Sequence, residues 1–414
     1  MVPLSRDGKS GQYGELVLLK VLKSGSAETT RFRADGAAFL ALALLCGFLG
    51  GGLGALALGK QMSPAVSHGL LLDLFVLVPA FIGGMGRLVL PRELAATPGA
   101  LVALDRLAFA LLAGGALCAA GGIAAPGLFA MSLLFWTFGI CALATSTVVD
   151  CLECRKGRFR DLSPFAWSQL LASLGIIVIA PVMLAGVAHD LMGGMTGTSA
   201  VQSWLVRVQT PLLALVITLA LGAIATLIPG HSLSSRLIVP SAMAIPSVLV
   251  PVIWAHGTIV PGTSDILLRA LGVALPSIAL IGLVCLGLWR RNIDLDIGFS
   301  WSFPALLLLA AGWALSLFPD RPELFHSAML FGAIFALFGC YYSWQEDALH
   351  APAPAWLARI HLVSMGVAVF AMMPMFPVLS LLGNAGMIVS MFCVGLLIVR
   401  FLSAASSPAR AGLR

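Results

Sequence analysis

Charge is scarce in this chain. Asp, Glu, Lys and Arg together make up 10% of its 414 residues, against 59% hydrophobic residues and a mean hydropathy of +1.01. So little polar surface cannot cover a water-soluble globule of this size, which excludes soluble enzymes and soluble binding modules. Basic residues interleaved with aromatics are also missing, so the net charge of +6 is no sign of nucleic-acid binding and instead fixes topology and meets anionic lipid. Paired cysteine motifs are absent. One CxxC, Cys151 and Cys154, stands beside the basic stretch RKGRFR without the second pair a zinc site needs, and reads as two reduced surface thiols. Cys46, Cys118, Cys141, Cys285, Cys340 and Cys393 fall inside apolar runs, where a thiol packs as a small hydrophobe. No repeat of fixed period and no polar linker marks a second domain. The first 36 residues carry mixed charge and lack the short apolar core and small-residue cleavage site of a signal peptide.

What the chain has is apolar runs. A bilayer-crossing helix takes about 20 largely apolar residues, and twelve such stretches follow one another at 37–59, 66–91, 104–124, 128–150, 164–188, 203–229, 238–261, 265–290, 297–318, 323–345, 357–382 and 384–404. With the amino terminus in the cytoplasm, 20 of the 24 Lys and Arg fall on the inner side, Arg87 and Arg106 among them, and only Lys60, Arg207, Arg269 and Arg321 fall outside. The expected fold is therefore an all-α membrane bundle of twelve helices over 37–404. A cytoplasmic extension, 1–36, and a cytoplasmic tail, 405–414, flank it. Glycine clusters such as GFLGGGLG suit close helix approach in lipid, and Pro79, Pro181, Pro276 and Pro374 are expected to kink the spans that hold them.

Two histidines open apolar runs. His68 leads SHGLLLDLFVLVPAFIGGMGRLVLP and His326 leads FHSAMLFGAIFALFGCYYSW. Hydrocarbon offers an imidazole no water, so each ring needs a protein or metal partner. Both runs are even-numbered and enter from the outer side, which places the two rings at one depth. Two neutral imidazoles facing one iron is heme ligation, and a hydrogen-bonded interfacial histidine is the plainer alternative at each position. Asp73, about one turn beyond His68, pairs with a neighbouring polar group or faces a hydrated seam.

The stretch from His68 to Leu112, with HG, VPAFIGGMGRLVLP and LAFALL in order, resembles the second and third helices of heme-copper oxidase subunit I, the family of cytochrome c and quinol oxidases. Further echoes follow: FAWSQLLASLGIIVIAPVMLAG resembles the fifth helix, IWAHG the seventh, FHSAMLFGAIFALFGCYYSW the tenth and ARIHLVSMGV the eleventh. The resemblance implies the twelve-helix subunit I fold, and it carries His68 and His326 onto the ligands of the low-spin heme, of b or a type. His361 matches a family histidine that is not a ligand.

The same comparison implies a degenerate oxygen-reducing centre. Leu324 stands where the family's second heme has its histidine ligand. Of the adjacent copper-binding pair only His256 remains, followed by Gly257, a residual copper-site position. GHSLSSRLIVP imitates the motif of the third copper ligand at His231, yet only 25 residues separate His231 from His256, about half the family's separation. The spacing puts Thr210 at that ligand instead, with Ala214 at the linked tyrosine. The only tyrosines are Tyr13, Tyr341 and Tyr342, no lysine follows Lys156, and no arginine lies between Arg359 and Arg400. These absences remove the linked tyrosine, the lysine proton path, where Leu280 stands, and the arginine pair beside the heme propionates. Copper is not expected.

Three readings stay open. The first is a subunit I-like component of a respiratory oxidase complex that carries one low-spin bis-histidine heme for electron transfer and does not itself reduce oxygen. The second is a heme-free structural or assembly subunit. The third is an active terminal oxidase or nitric oxide reductase with relocated ligands. The resemblance implies other oxidase subunits as partners, including a separate copper-bearing subunit II-like chain, with cytochrome c or quinol as electron donor. It places the chain in a bacterial inner membrane with both termini cytoplasmic.

Overall fold

The structure, a computed structural model, describes residues 35–53, 62–95, 101–194, 198–227, 240–259, 278, 282, 296–316, 322–349, 353–371 and 379–405. Eleven helices run through them: α1 (Asp35–Leu53), α2 (Pro64–Glu93), α3 (Val102–Gly121), α4 (Leu128–Cys154), α5 (Pro164–Met192), α6 (Thr198–Leu227), α7 (Pro240–His256), α8 (Ile297–Ser316), α9 (Pro322–Leu349), α10 (Ala355–Ala371) and α11 (Ser380–Ala405). Among the described residues nine are long and apolar enough to cross a membrane, while α7 and α10 are shorter apolar helices, and there is no strand. Eleven of the twelve apolar stretches thus coincide with a helix. The remaining one, 265–290, lies outside the described residues apart from Ile278 and Gly282, both helical. His231, Leu280, Cys285, Pro276, Pro374 and both proposed extensions, save for residues 35, 36 and 405, also lie outside.

Local chemistry sets the helix ends. Ser163 caps α5, its hydroxyl accepting the Ala166 N–H, and Pro164 follows at the first helical position, where a missing donor costs nothing. Gly194, at φ +72°, takes the left-handed conformation that closes the same helix. Inside α2, Pro79 has no N–H to give. The backbone there widens to a π-helix over Pro79–Gly86, and α2 resumes its α form at Arg87.

Sequence-adjacent helices pack as hairpins: α3 with α4, α5 with α6, α8 with α9, and α10 with α11. Burial orders the bundle from the inside out. Within its most apolar window α6 is 83% buried, α9 72% and α2 67%, whereas α1, α3 and α11 are each 33% buried. The three innermost helices are therefore the ones that carry Gln209, His326, His68 and Asp73. Glycine permits the tightest crossing, since a Cβ added at Gly175 of α5 would lie 2.4 Å from the carbonyl oxygen of Ser247 on α7.

Arg87, counted on the inner side and lying within the apolar stretch 66–91, is 1% exposed inside the bundle. Its guanidinium donates to Asp105 Oδ1 of α3 at 2.8 Å, to Asp150 Oδ2 of α4 and to Thr147 Oγ1 at 3.2 Å. A desolvated cation needs anions within contact distance, and helices α3 and α4 bring one each.

Candidate functional site

His68 sits in the second turn of α2, half-buried, with Nδ1 at 2.7 Å from the backbone oxygen of Gly50. Gly50 belongs to the last described turn of α1. A carbonyl only accepts, so the hydrogen resides on Nδ1 and Nε2 carries the free lone pair. Beside this ring the helix borders open space: a Cβ on Gly69 would meet no described heavy atom within 4 Å.

His326 lies in the second turn of α9, also half-buried. Its Nδ1 meets the side-chain amide of Gln209 on α6, and its Nε2 is 3.8 Å from Asp73 Oδ1 on α2. His68 stands on α2 itself and turns to Gly50 of α1, whereas His326 reaches α2 from α9 through Asp73, so the two rings have different partners and do not share the cavity beside His326. Positions five residues apart on an α-helix differ by about 140° around its axis and about 7.5 Å along it. Accordingly His68 turns to α1 while Asp73 turns to α9 and α6.

A cavity of about 110 Å³ opens beside His326, bounded by Asp73, Gln209, His326 and the apolar side chains of Leu205, Leu212 and Leu330. It holds a few waters' worth of space and lacks the roughly 300 Å³ or more of an organic-ligand pocket. Three polar groups on three helices converge there against an aliphatic wall. Two of them were candidates from the sequence. Gln209 was not, although an amide within the apolar run 203–229 is a signal of the same kind as Asp73.

The other histidines divide by burial. His256 lies exposed near the end of α7. His189 is exposed at the end of α5, 3.6 Å from Asp190. His361, fully buried on α10, is held from both sides, its Nδ1 3.0 Å from the Tyr342 hydroxyl of α9 and its Nε2 3.1 Å from Ser390 Oγ of α11. Trp301 and Phe338 close over that ring edge-on, with centroids at 5.0 and 4.4 Å. Both its nitrogens are engaged and its surroundings are aromatic, which makes His361 a tie among α9, α10 and α11. Among the described residues no three of His, Cys, Asp and Glu converge as metal ligands would.

Among known proteins the chain is similar to cytochrome c oxidase subunit 1 of Cereibacter sphaeroides. The two are 22% identical over 383 residues, an alignment that covers 77% of this chain and 67% of that protein. No protein-family model matches the chain. The likeness and the long apolar helices describe one kind of molecule. The chain is a multi-pass helical membrane protein with a distant likeness to a cytochrome c oxidase subunit 1.

Proposed function

We propose that the chain is a subunit I-like integral component of a respiratory oxidase complex that carries one low-spin heme between His68 and His326 and passes electrons through it. The carrying observation is the His68–Gly50 bond. It fixes the ring in the tautomer whose Nε2 is free to bind a metal, and a ligating histidine ordinarily donates its other N–H to a carbonyl or carboxylate in this way. The donor set suits the group, since two neutral imidazoles make a six-coordinate, electron-transferring iron. As placed the two rings do not flank one space: His68 turns to α1, His326 is engaged by Gln209 and Asp73, and the cavity at His326 is smaller than a porphyrin, so seating one requires both rings to turn and Asp73 to move away. When bound, the heme supplies one-electron redox chemistry. The residues that would hold it are His68 and His326, beside the apolar side chains Leu205 and Leu212 of α6.

Oxygen reduction is not part of this function, and neither is copper. His256 alone is one imidazole, which makes a poor metal site. Partners under this reading are the other subunits of the complex, including a copper-bearing subunit II-like chain. Cytochrome c or quinol serves as donor, and the setting is a bacterial inner membrane with both termini cytoplasmic.

The purified protein is expected to give a sharp reduced α band, a pyridine hemochrome of b or a type, and no optical shift on adding carbon monoxide. His68→Ala and His326→Ala should each abolish the band. Absence of iron from the wild-type preparation sinks the proposal. A second reading, a heme-free structural subunit, is favoured by the contact of His326 Nε2 with Asp73, which occupies the nitrogen that iron would need. Under it, His68→Ala alters stability and no spectrum.

A further inference from the structure

The stretch that joins α4 to α5 carries four cations, Arg155, Lys156, Arg158 and Arg160, against two carboxylates, Glu153 and Asp161. Local contacts engage two of the cations. Arg155 folds back on α4, donating from Nη1 to the carbonyl oxygen of Leu152 at 2.6 Å, and its guanidinium lies 3.5 Å from the centre of the Phe159 ring. Arg160 stands 3.9 Å from Asp161. Lys156 and Arg158 are left over: among the described residues neither side chain has an ion-pair or hydrogen-bond partner, and Arg158 is exposed. The segment that presents them is held in place. The Lys156 N–H donates to the carbonyl oxygen of Leu94 just past α2 at 3.1 Å, and Phe159 lies against Trp167 of α5 with ring centroids 5.9 Å apart. Two cations on an ordered segment lose little freedom on meeting an anion.

We propose that Lys156 and Arg158 bind the phosphate of an anionic phospholipid where α4 and α5 leave the bilayer. The amino terminus of α5 is not the receptor, because the N–H of Phe165 donates to Thr226 Oγ1 and that of Ala166 to Ser163 Oγ. The side-chain charge of the two residues is what remains for an anion. Apolar surface beside it selects a lipid over a soluble phosphate. Leu152, in the last turn of α4, is 48% exposed, and the half-buried Trp167 stands in the first turn of α5, at the depth where indoles border headgroups. A lipid uses both the charge and the apolar surface, whereas a free anion uses the charge alone. Each basic residue near an anionic membrane surface contributes about fivefold to such binding. The site is independent of any heme.

The test follows the unfolding temperature of the full-length protein in a non-ionic detergent as dioleoylphosphatidylglycerol, dioleoylphosphatidylcholine or sodium phosphate is added. The response to each addition is the readout, so a change in the starting temperature of a variant does not affect it. Phosphatidylglycerol should raise the temperature of the wild type more than phosphatidylcholine does, and added salt should shrink the difference. In the double variant Lys156→Gln, Arg158→Gln the phosphatidylglycerol concentration giving half the rise should increase about 30-fold. The exchange Lys156→Arg, Arg158→Lys keeps both charges and should keep the wild-type response, as should Arg359→Gln, which removes an exposed cation of α10. Equal responses of the wild type to the two lipids overturn the proposal, and so does a double variant that responds like the wild type. If sodium phosphate reproduces the rise, the ligand is a free anion and the lipid assignment falls. If Arg359→Gln weakens the response as much as the double variant, surface charge in general is responsible and the site falls.

Discussion

Arg87 and Asp150 lie 63 positions apart and meet in an ion pair that solvent does not reach. With Asp105 they form one cation between two carboxylates, each residue at most 2% exposed, where α2, α3 and α4 come together. Removing the cation strands two buried anions. Arg87→Met should cost about 3–5 kcal/mol, read as a fall in thermal unfolding temperature in detergent. The triple replacement Arg87→Met, Asp105→Asn, Asp150→Asn should recover most of that loss, because well-packed neutral groups often replace a buried ion pair at little cost. A single replacement as stable as wild type would show that the cluster contributes nothing.

Glycines on one helix should differ sharply in tolerance. At Gly175 a methyl group would sit 2.4 Å from a backbone oxygen of α7, while at Gly186, eleven positions along α5, it would meet no described atom within 4 Å. Gly175→Ala is expected to destabilise by about 1–3 kcal/mol through overpacking. Gly186→Ala is expected to be neutral or to stabilise by up to about 1 kcal/mol, since alanine is the better helix former. Equal unfolding temperatures for the two variants would contradict the α5–α7 crossing described.

His361 should behave as a strut. Replacing it with leucine leaves the Tyr342 hydroxyl and Ser390 Oγ without their ring partner, a loss of about 1–3 kcal/mol for buried polar groups. The α band and heme content should be unchanged. Loss of heme in this variant with unfolding temperature intact would move the cofactor to the other end of α9.

Orientation is testable at the CxxC. The two thiols were expected at the surface, but only Cys154 is partly exposed at the end of α4, beside Arg155 and Lys156, and Cys151 is buried because it turns into the bundle. In a variant keeping Cys154 alone, a membrane-impermeant maleimide should label inverted vesicles and leave right-side-out vesicles unlabelled. The reverse pattern would invert the proposed topology.

The helices were legible because hydrocarbon makes their signal coarse. A run of apolar residues must form its own backbone hydrogen bonds, whatever its detailed order, so α3, α4, α5 and α8 begin within two residues of the stretches read from sequence. Pro79, read as a kink, instead marks where the backbone widens to a π-helix, and α5 runs in α form through Pro181. Contacts between helices were not legible, since they depend on rotation about each axis. The pairing of Asp73 with His326 and the place of Gln209 follow from which faces of α2, α6 and α9 meet, and apolarity all around a helix carries no such information. The ion pairs of Arg87 were hidden for a related reason. An arginine near the end of a run reads as an anchor unless the acids on other helices are known to reach it, and Asp105 and Asp150 lie 18 and 63 positions away.

The bond from His68 to the last turn of α1 has an acceptor that belongs to the main chain. Any amino acid at position 50 still supplies that oxygen. A scan of position 50 would therefore report only crowding against Leu72, whose side chain lies 2.9 Å from where a Cβ would stand, and would pass over the anchoring of the imidazole altogether. Such a partnership is invisible to genetics on one side, and only isotope-edited spectroscopy of the ring itself can register it.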